Sequence, residues 1–240
     1  MPNSGHLAVV VEGMDQTIKD AMEYKVTDTD NRLSYRQGWP LLPVLPVLTS
    51  RDNIPKVLSR SSDYLNTFSG ILAENKVTVH GLEVAHRFNS GTRIDKSTLT
   101  LCVLSEEKEN EKWADAIRAL RTYIQGQSSL TLAVEIIDHR VFHGLYTLRI
   151  LPEETRLISA INRKKHGVVR ILDESMLDWT SLQFWWRGNG KTREHCRPTV
   201  LVGTPLPQSH GWWGSVKELL AKKMGSEWTI EVCFKEVAKY

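Results

Sequence analysis

The feature that most constrains this chain is a repeat of its own sequence at a spacing of 100 residues. Shifting the 240-residue chain by 100 positions without gaps produces eight identities between residues 82 and 120, where average residue usage predicts about two. The matched residues, each with a partner 100 positions later, are Leu82, Arg87, Asn89, Thr92, Arg93, Leu101, Trp113 and Leu120. A repeat of this length indicates two copies of one structural unit.

The apolar patterns of the two halves predict the same order of elements. The first half predicts helix 54–74, strands 78–88 and 97–104, helix 109–125 and strand 130–138. The second half predicts helix 154–169, strands 180–187 and 199–204, helix 212–224 and strand 228–234. We therefore expect an α+β protein of two αββαβ units, each an antiparallel sheet with helices on one face, like a ferredoxin-like layer. The units are expected to lie about a pseudo-twofold axis or to share one continuous sheet.

Three parts are expected along the chain: an N-terminal extension at 1–50, a first unit at 51–151 and a second unit at 152–240. Within the extension, residues 7–12 have the pattern of an edge strand and residues 16–24 that of a short helix.

Residues 39–47 contain prolines three positions apart, which fix φ and remove backbone donors. This pattern predicts an extended apolar tether on the protein surface, with an SH3-type ligand as the alternative.

Composition and charge narrow the class of protein. A hydrophobic fraction of 41% and a charged fraction of 25% are typical of a globular protein, and a net charge of +3 gives no dominant basic block. No apolar run approaches a membrane span, and the first residues lack the basic region and long apolar stretch of a signal peptide, so we expect neither feature. Three cysteines without CxxC spacing argue against a disulfide framework. We expect an intracellular protein, cytoplasmic or nuclear, with reduced thiols and no membrane partner.

One combination of motifs resembles known proteins. The segment TLTLCVL at 98–104, the helix led by Trp113 and the VEI strand at 134–136 have counterparts in the second half. This arrangement is similar to uncharacterised proteins of filamentous fungi, and the resemblance covers roughly the last two thirds of the chain. The resemblance implies an intracellular protein and carries over no activity, catalytic residue or cofactor.

The repeat places arginines at matching positions and so defines the first candidate site. The two pairs are Arg87 with Arg187, and Arg93 with Arg193. Two guanidinium groups from such pairs could converge on one anion. We favour the alternative that each arginine lies beside its own hairpin and either pairs with a carboxylate such as Asp95 or Glu194 or caps backbone carbonyls, because surface arginine pairs are common and individually weak.

Adjacent tryptophans mark a second candidate surface. Trp185 and Trp186 follow one another in a predicted strand, so we expect one in the core and the other on the far face, where it supports a partner surface. Lys191 belongs to a Gly-Lys-Thr run like the end of a phosphate loop. Trp185 stands where that motif needs its first glycine and no helix follows, so the run is interpreted as a hairpin turn.

The remaining reactive residues are assigned no chemistry. Glu135 and Glu231 match across the repeat, and we expect both on the solvent side of half-buried strands. His195 beside Cys196 does not by itself make an activated nucleophile. His139 and His143 lack the further ligands of a metal site. The sequence predicts neither a catalytic residue, nor a metal, nor a cofactor.

The leading hypothesis is a non-enzymatic interaction or regulatory module. It binds another protein or a small ligand through a groove between the two copies or through exposed tryptophans. One alternative is RNA or DNA binding by a sheet face with tryptophans, the matched arginines and Lys191. Another is an enzyme that uses His195, Cys196 and the arginines on an anionic substrate. Exposed tryptophans would mark a site, and buried ones a scaffold.

Overall fold

The computed structural model describes residues 28–58, 62–127 and 130–235. Within these residues the chain forms four α-helices and two mixed β-sheets, one of six strands and one of four. The protein is therefore α+β. The strand predicted at 7–12 and the helix predicted at 16–24 lie outside the described residues. No helix in the described ranges is long and apolar enough to cross a bilayer.

The first sheet joins the N-terminal part of the chain to the first predicted unit. Its strands are β1 (Asp30–Leu33), β2 (Arg36–Trp39), β3 (Leu48–Ser50), β4 (Gly81–Phe88), β5 (Leu99–Ser105) and β6 (Ala133–Asp138). They lie in the order β1-β2-β6-β5-β4-β3, and all neighbours are antiparallel except β5 and β6. Helix α1 (Asp63–Glu74) precedes β4, and helix α2 (Asn110–Gly126) connects β5 to β6.

The second sheet repeats this connectivity with four strands. They are β7 (Tyr146–Leu148), β8 (Ser181–Gly188), β9 (Cys196–Thr204) and β10 (Thr229–Phe234), in the order β10-β9-β8-β7. Only β9 and β10 are parallel. Helix α3 (Thr155–Glu174) precedes β8. A π-helical turn (Trp212–Val216), continued by α4 (Lys217–Met224), connects β9 to β10.

The expected antiparallel sheets are wrong, because the last strand of each unit lies parallel to its neighbour. A parallel pair needs a crossover connection, and a helix supplies it in both sheets. Within each unit the strands follow the chain, as β3-β4-β5-β6 and β7-β8-β9-β10. This differs from the interleaved order of a ferredoxin-like layer. The two sheets are also separate rather than continuous.

Part of the predicted extension belongs to the first sheet, because β1, β2 and β3 all lie before residue 51. Residues 40–47 form neither helix nor strand, as expected, but the side chains of Leu42 and Val44 are buried. Asn89 Nδ2 donates to the Val44 carbonyl at 2.7 Å, and this bond holds the segment against the end of β4.

The helices pack against one face of each sheet and form two separate cores. In the first hairpin Val84 lies opposite Leu101, whereas in the second Phe184 lies opposite Val200. Strand β9 is thus related to β5 by 99 residues rather than 100. Because a slip of one residue moves a side chain to the other face of a sheet, the identical residues Leu101 and Leu201 point to opposite faces.

The π-helical turn restores the spacing of 100. Trp113 in α2 is fully buried, and its counterpart in the second core is Trp212 rather than the predicted Trp213. Leu220, eight residues after Trp212, is also fully buried, and it lies 100 positions after its counterpart Leu120. A π-helical turn holds one residue more than an α-helical turn. The second hairpin is one residue shorter than the first, and the extra residue of the π-helical turn makes up this difference.

Helices α1 and α3 are each followed, two residues after their last residue, by a residue in the left-handed conformation, and this leads to a stability prediction. Lys76 has a φ of 59° and Met176 a φ of 58°, and Met176 is 89% exposed. A side chain in this conformation costs about 1–2 kcal/mol, which glycine avoids at some entropic cost. We expect Met176→Gly to raise the free energy of unfolding by about 0.5–1 kcal/mol in urea denaturation. Met176→Ala keeps the Cβ atom and should give no such gain; equal effects of the two changes would contradict the explanation.

Candidate functional site

A buried ion pair crosses the first sheet on the face opposite the helices. Arg87 donates from Nε to Glu135 Oε2 at 2.8 Å and from Nη2 to Glu135 Oε1 at 3.0 Å. Its Nη1 donates to Thr49 Oγ1 at 2.6 Å. Arg36 also donates to Glu135, and the Phe142 ring lies 4.6 Å from the Arg87 guanidinium carbon. This carboxylate is saturated and closed off from solvent.

The same three residue types recur on the matching strands of the second sheet. Arg187 donates from Nε to Glu231 Oε2 at 2.9 Å and from Nη1 to Thr147 Oγ1 at 2.7 Å. In the described part of the chain no second arginine binds Glu231, and Nη2 of Arg187 donates to no protein group. The second pair therefore keeps hydrogen-bonding capacity that the first pair has used.

The two glutamates have opposite pKa shifts. Burial would raise the pKa of Glu135, but the charges and hydrogen bonds of Arg36 and Arg87 outweigh it and lower the pKa to about 2. Burial also raises the pKa of Glu231, and there Arg187 and Lys217 offset it only in part. Glu135 therefore stays ionised at neutral pH. The equilibrium of Glu231 is shifted towards its protonated form relative to a free glutamate.

A groove with a volume of about 620 Å³ opens over the second ion pair. Its floor is the helix-free face of the second sheet, with Arg187, Thr199 and Glu231. The facing wall comes from the first sheet and the segment after it, and includes Tyr35 and Leu145. In the first sheet the same face is filled by a small apolar core around Val141 and Phe142. A volume of this size falls within the range of about 300–1,000 Å³ typical of small-molecule sites.

The tryptophans do not form an exposed surface. All eight lie in the described ranges. Three are buried: Trp113, Trp212 and Trp228. The other five are half-buried: Trp39, Trp179, Trp185, Trp186 and Trp213. Trp185 Nε1 donates to Gln183 at 3.2 Å, and Trp186 Nε1 donates to Glu154 at 2.9 Å. The two indoles of the predicted site thus bind their own chain.

The predicted arginine sites do not come together. Each member of the first pair, Arg87 and Arg187, binds a glutamate of its own sheet, rather than Asp95 or Glu194 as suggested. Arg193 pairs with Glu154 at 3.0 Å and lies over the Trp186 ring, which ties the second hairpin to the start of α3. Arg93 and Lys191 are exposed on hairpin loops.

The expectation that Glu135 and Glu231 face solvent is wrong, since they are 0% and 8% exposed. An arginine on a nearby strand neutralises each carboxylate, so each can be buried.

The polar residues that flank the second ion pair were not among the predicted site residues. Arg197 and Thr199 alternate with buried apolar residues along β9, as Thr229 and Glu231 do along β10. Polar residues at every second position of a strand were the signal that could have identified this face.

Cys196 and His195 line the groove without forming a nucleophilic pair. The Cys196 thiol lies 3.4 Å from the Gly190 carbonyl oxygen, and burial raises the pKa of that thiol. A thiol with a raised pKa is a poor nucleophile. His195 is exposed, and its Nδ1 lies 2.9 Å from Thr192 Oγ1 rather than facing the sulfur.

Comparisons of the chain with family models, with curated proteins and with solved structures return no match.

Proposed function

We propose that this protein is a binding module that holds a small ligand in the groove between its two sheets. The observation that carries the proposal is the second ion pair, which lies at the floor of that groove. Within the described residues, Arg187 Nη2 and Glu231 Oε1 have no protein hydrogen-bond partner. A ligand in the groove could bond to both atoms.

We further propose that the two αββαβ units arose by duplication and that only the second copy kept an open face. The matching sets Arg87, Glu135, Thr49 and Arg187, Glu231, Thr147 support this origin, because strand position and bonding pattern agree in both. In the first copy apolar residues cover the ion pair. In the second copy the same face is left for a ligand. A pseudo-twofold relation of the two copies belongs to the same proposal.

The rival functions have less support from the geometry. RNA or DNA binding on a sheet face relies on stacking of bases against exposed aromatic rings, and the tryptophans are buried or half-buried. An enzyme with Cys196 as nucleophile would need its thiolate, which burial disfavours. An intracellular binding module with a small-molecule partner fits the groove best.

Filling the groove tests the proposal. Thr229 is half-buried on β10 and lines the groove, so Thr229→Trp should occupy much of its volume. We expect a screen of fragment-sized molecules by ¹H–¹⁵N spectroscopy to shift backbone amides of β9 and β10 in the wild type. The same fragments should bind at least about 10-fold more weakly to Thr229→Trp, since a filled site loses about 1.4 kcal/mol or more.

The matched control is Thr122→Trp, the same change on the exposed surface of α2. It should bind the fragments as the wild type does, and circular dichroism should show that both variants are folded. Fragments that leave the groove amides unshifted, or that bind Thr229→Trp unchanged, would refute a ligand site in the groove.

A further inference from the structure

Two arginines face one another across strands on the floor of the groove. Arg187 on β8 lies directly opposite Arg197 on β9, and both side chains line the groove. Directly opposed residues of an antiparallel pair point to the same face, and like charges at such positions destabilise a sheet. A pair of this kind therefore favours an anionic partner between the two guanidinium groups.

The protein neutralises this arginine pair only in part. Glu231 makes a single hydrogen bond to Arg187, so one carboxylate faces two guanidinium groups. Arg197 is exposed and forms no ion pair within the described residues. Arg140 adds a third guanidinium at the opposite wall, bound to Asp138, and Glu194 adds a carboxylate at the rim.

The first sheet shows how the chain satisfies such a pair. There Arg36 and Arg87 both donate to the one carboxylate of Glu135. A ligand oxygen between Arg187 Nη2 and Arg197 would receive the same kind of charge-assisted bonds, which are about twice as strong as neutral ones.

The other residues that line the groove indicate the chemistry of the uncharged part of the ligand. Thr229 is half-buried and lines the groove on β10, and Tyr35 and Leu145 form part of the facing wall. These residues suit a neutral, partly apolar molecule attached to the charged group.

We infer that the groove selects small molecules carrying a phosphate or carboxylate group, which Arg187 and Arg197 bind from adjacent strands. This inference rests on the proposed ligand site and names the chemical class of its ligand. Arg197 acts by direct contact with the anionic group, and Arg187 by contact and by holding Glu231 in place.

Three matched probes test the inference: phenyl phosphate, benzoate and the neutral benzamide. Their dissociation constants are measured by ¹H–¹⁵N titration at low ionic strength on the wild type, Arg197→Gln and the control Arg170→Gln. Arg170 lies on the exposed surface of α3, away from the groove. We expect Arg197→Gln to weaken binding of the tighter acid about 10-fold or more, and of benzamide less than about twofold. Arg170→Gln should leave all three unchanged.

The outcomes separate this inference from the proposed function. The anionic class is overturned if the acids and benzamide bind in the groove with equal dissociation constants. It is also overturned if the acids bind equally to Arg197→Gln and Arg170→Gln. Either result would leave the ligand site itself in place. Absence of groove shifts with every probe and fragment overturns both. Tighter binding of phenyl phosphate assigns a phosphate group, and tighter binding of benzoate assigns a carboxylate; either result supports the inference.

Discussion

Replacing Glu135 with glutamine is expected to lower the free energy of unfolding by about 3–5 kcal/mol at neutral pH. The change removes the counter-charge of Arg36 and Arg87, which are both buried and both bound to this carboxylate. An amide of the same shape can accept from only one oxygen and carries no charge. Urea denaturation of the wild type and the variant measures the difference.

The matched control is Glu231→Gln, the corresponding change in the second sheet. Because Glu231 binds one arginine through a single hydrogen bond beside the groove, a neutral amide should lower the free energy of unfolding by only about 1–2 kcal/mol. Equal losses from the two substitutions would show that the ion pairs serve the same purpose, contrary to the proposal that one is structural and the other open.

The pH dependence of the Glu135 effect follows from its lowered pKa. A glutamate with a folded-state pKa of about 2 stabilises the protein above its ordinary pKa of 4.5, and that stabilisation disappears as the pH falls through about 2. The difference between the wild type and Glu135→Gln should therefore be largest above pH 4.5 and shrink below it. A difference that does not change between neutral and strongly acidic pH would contradict this explanation.

Gly188→Ala is expected to destabilise the protein by about 2–3 kcal/mol. Gly188 ends β8 opposite Cys196, and an added Cβ atom would overlap the His195 carbonyl oxygen and lie 2.7 Å from Cys196 Cα. Both neighbours are backbone atoms, so the second hairpin must open to accept the methyl group. Urea denaturation measures the loss, and shifts of the β9 amides in ¹H–¹⁵N spectra show whether the groove is distorted.

Gly70→Ala provides the control for this prediction. Gly70 lies inside α1, and an added Cβ atom there meets nothing within 4 Å. Alanine favours a helix over glycine by about 1 kcal/mol, so the same substitution should stabilise the protein. A Gly188→Ala variant as stable as the wild type would mean that the hairpin accommodates a side chain at this position.

The sequence predicted the main helices and strands because each has a sustained apolar period. The helix around Trp113 and Ile117 and the strand around Val134 and Ile136 are examples, and both belong to the first core. The short strands β1, β2, β3 and β7 were missed. They have three or four residues and polar stretches such as Asp-Asn-Arg-Leu, so they form through pairing with neighbours rather than through their own pattern.

The candidate site was predicted only in part. Matching across the repeat identified both Arg187 and Glu231, but a strand pattern does not reveal that residues 44 positions apart are bonded. Tyr35 and Leu145 join the groove only through the packing of the first sheet against the second. The ungapped repeat also concealed the slip of one residue in β9, because identical leucines occupy positions 101 and 201 on opposite faces.

The π-helical turn also sets the angular phase of the last helix. Each residue of a regular α-helix advances the side chain by about 100° around the axis. Over the twelve positions from Trp212 to Met224, an uninterrupted α-helix would leave these two side chains about a third of a turn apart. Both are nevertheless fully buried in the same core. The wider turn at Trp212–Val216 compensates for that rotation, so both ends of this short helix pack against the sheet.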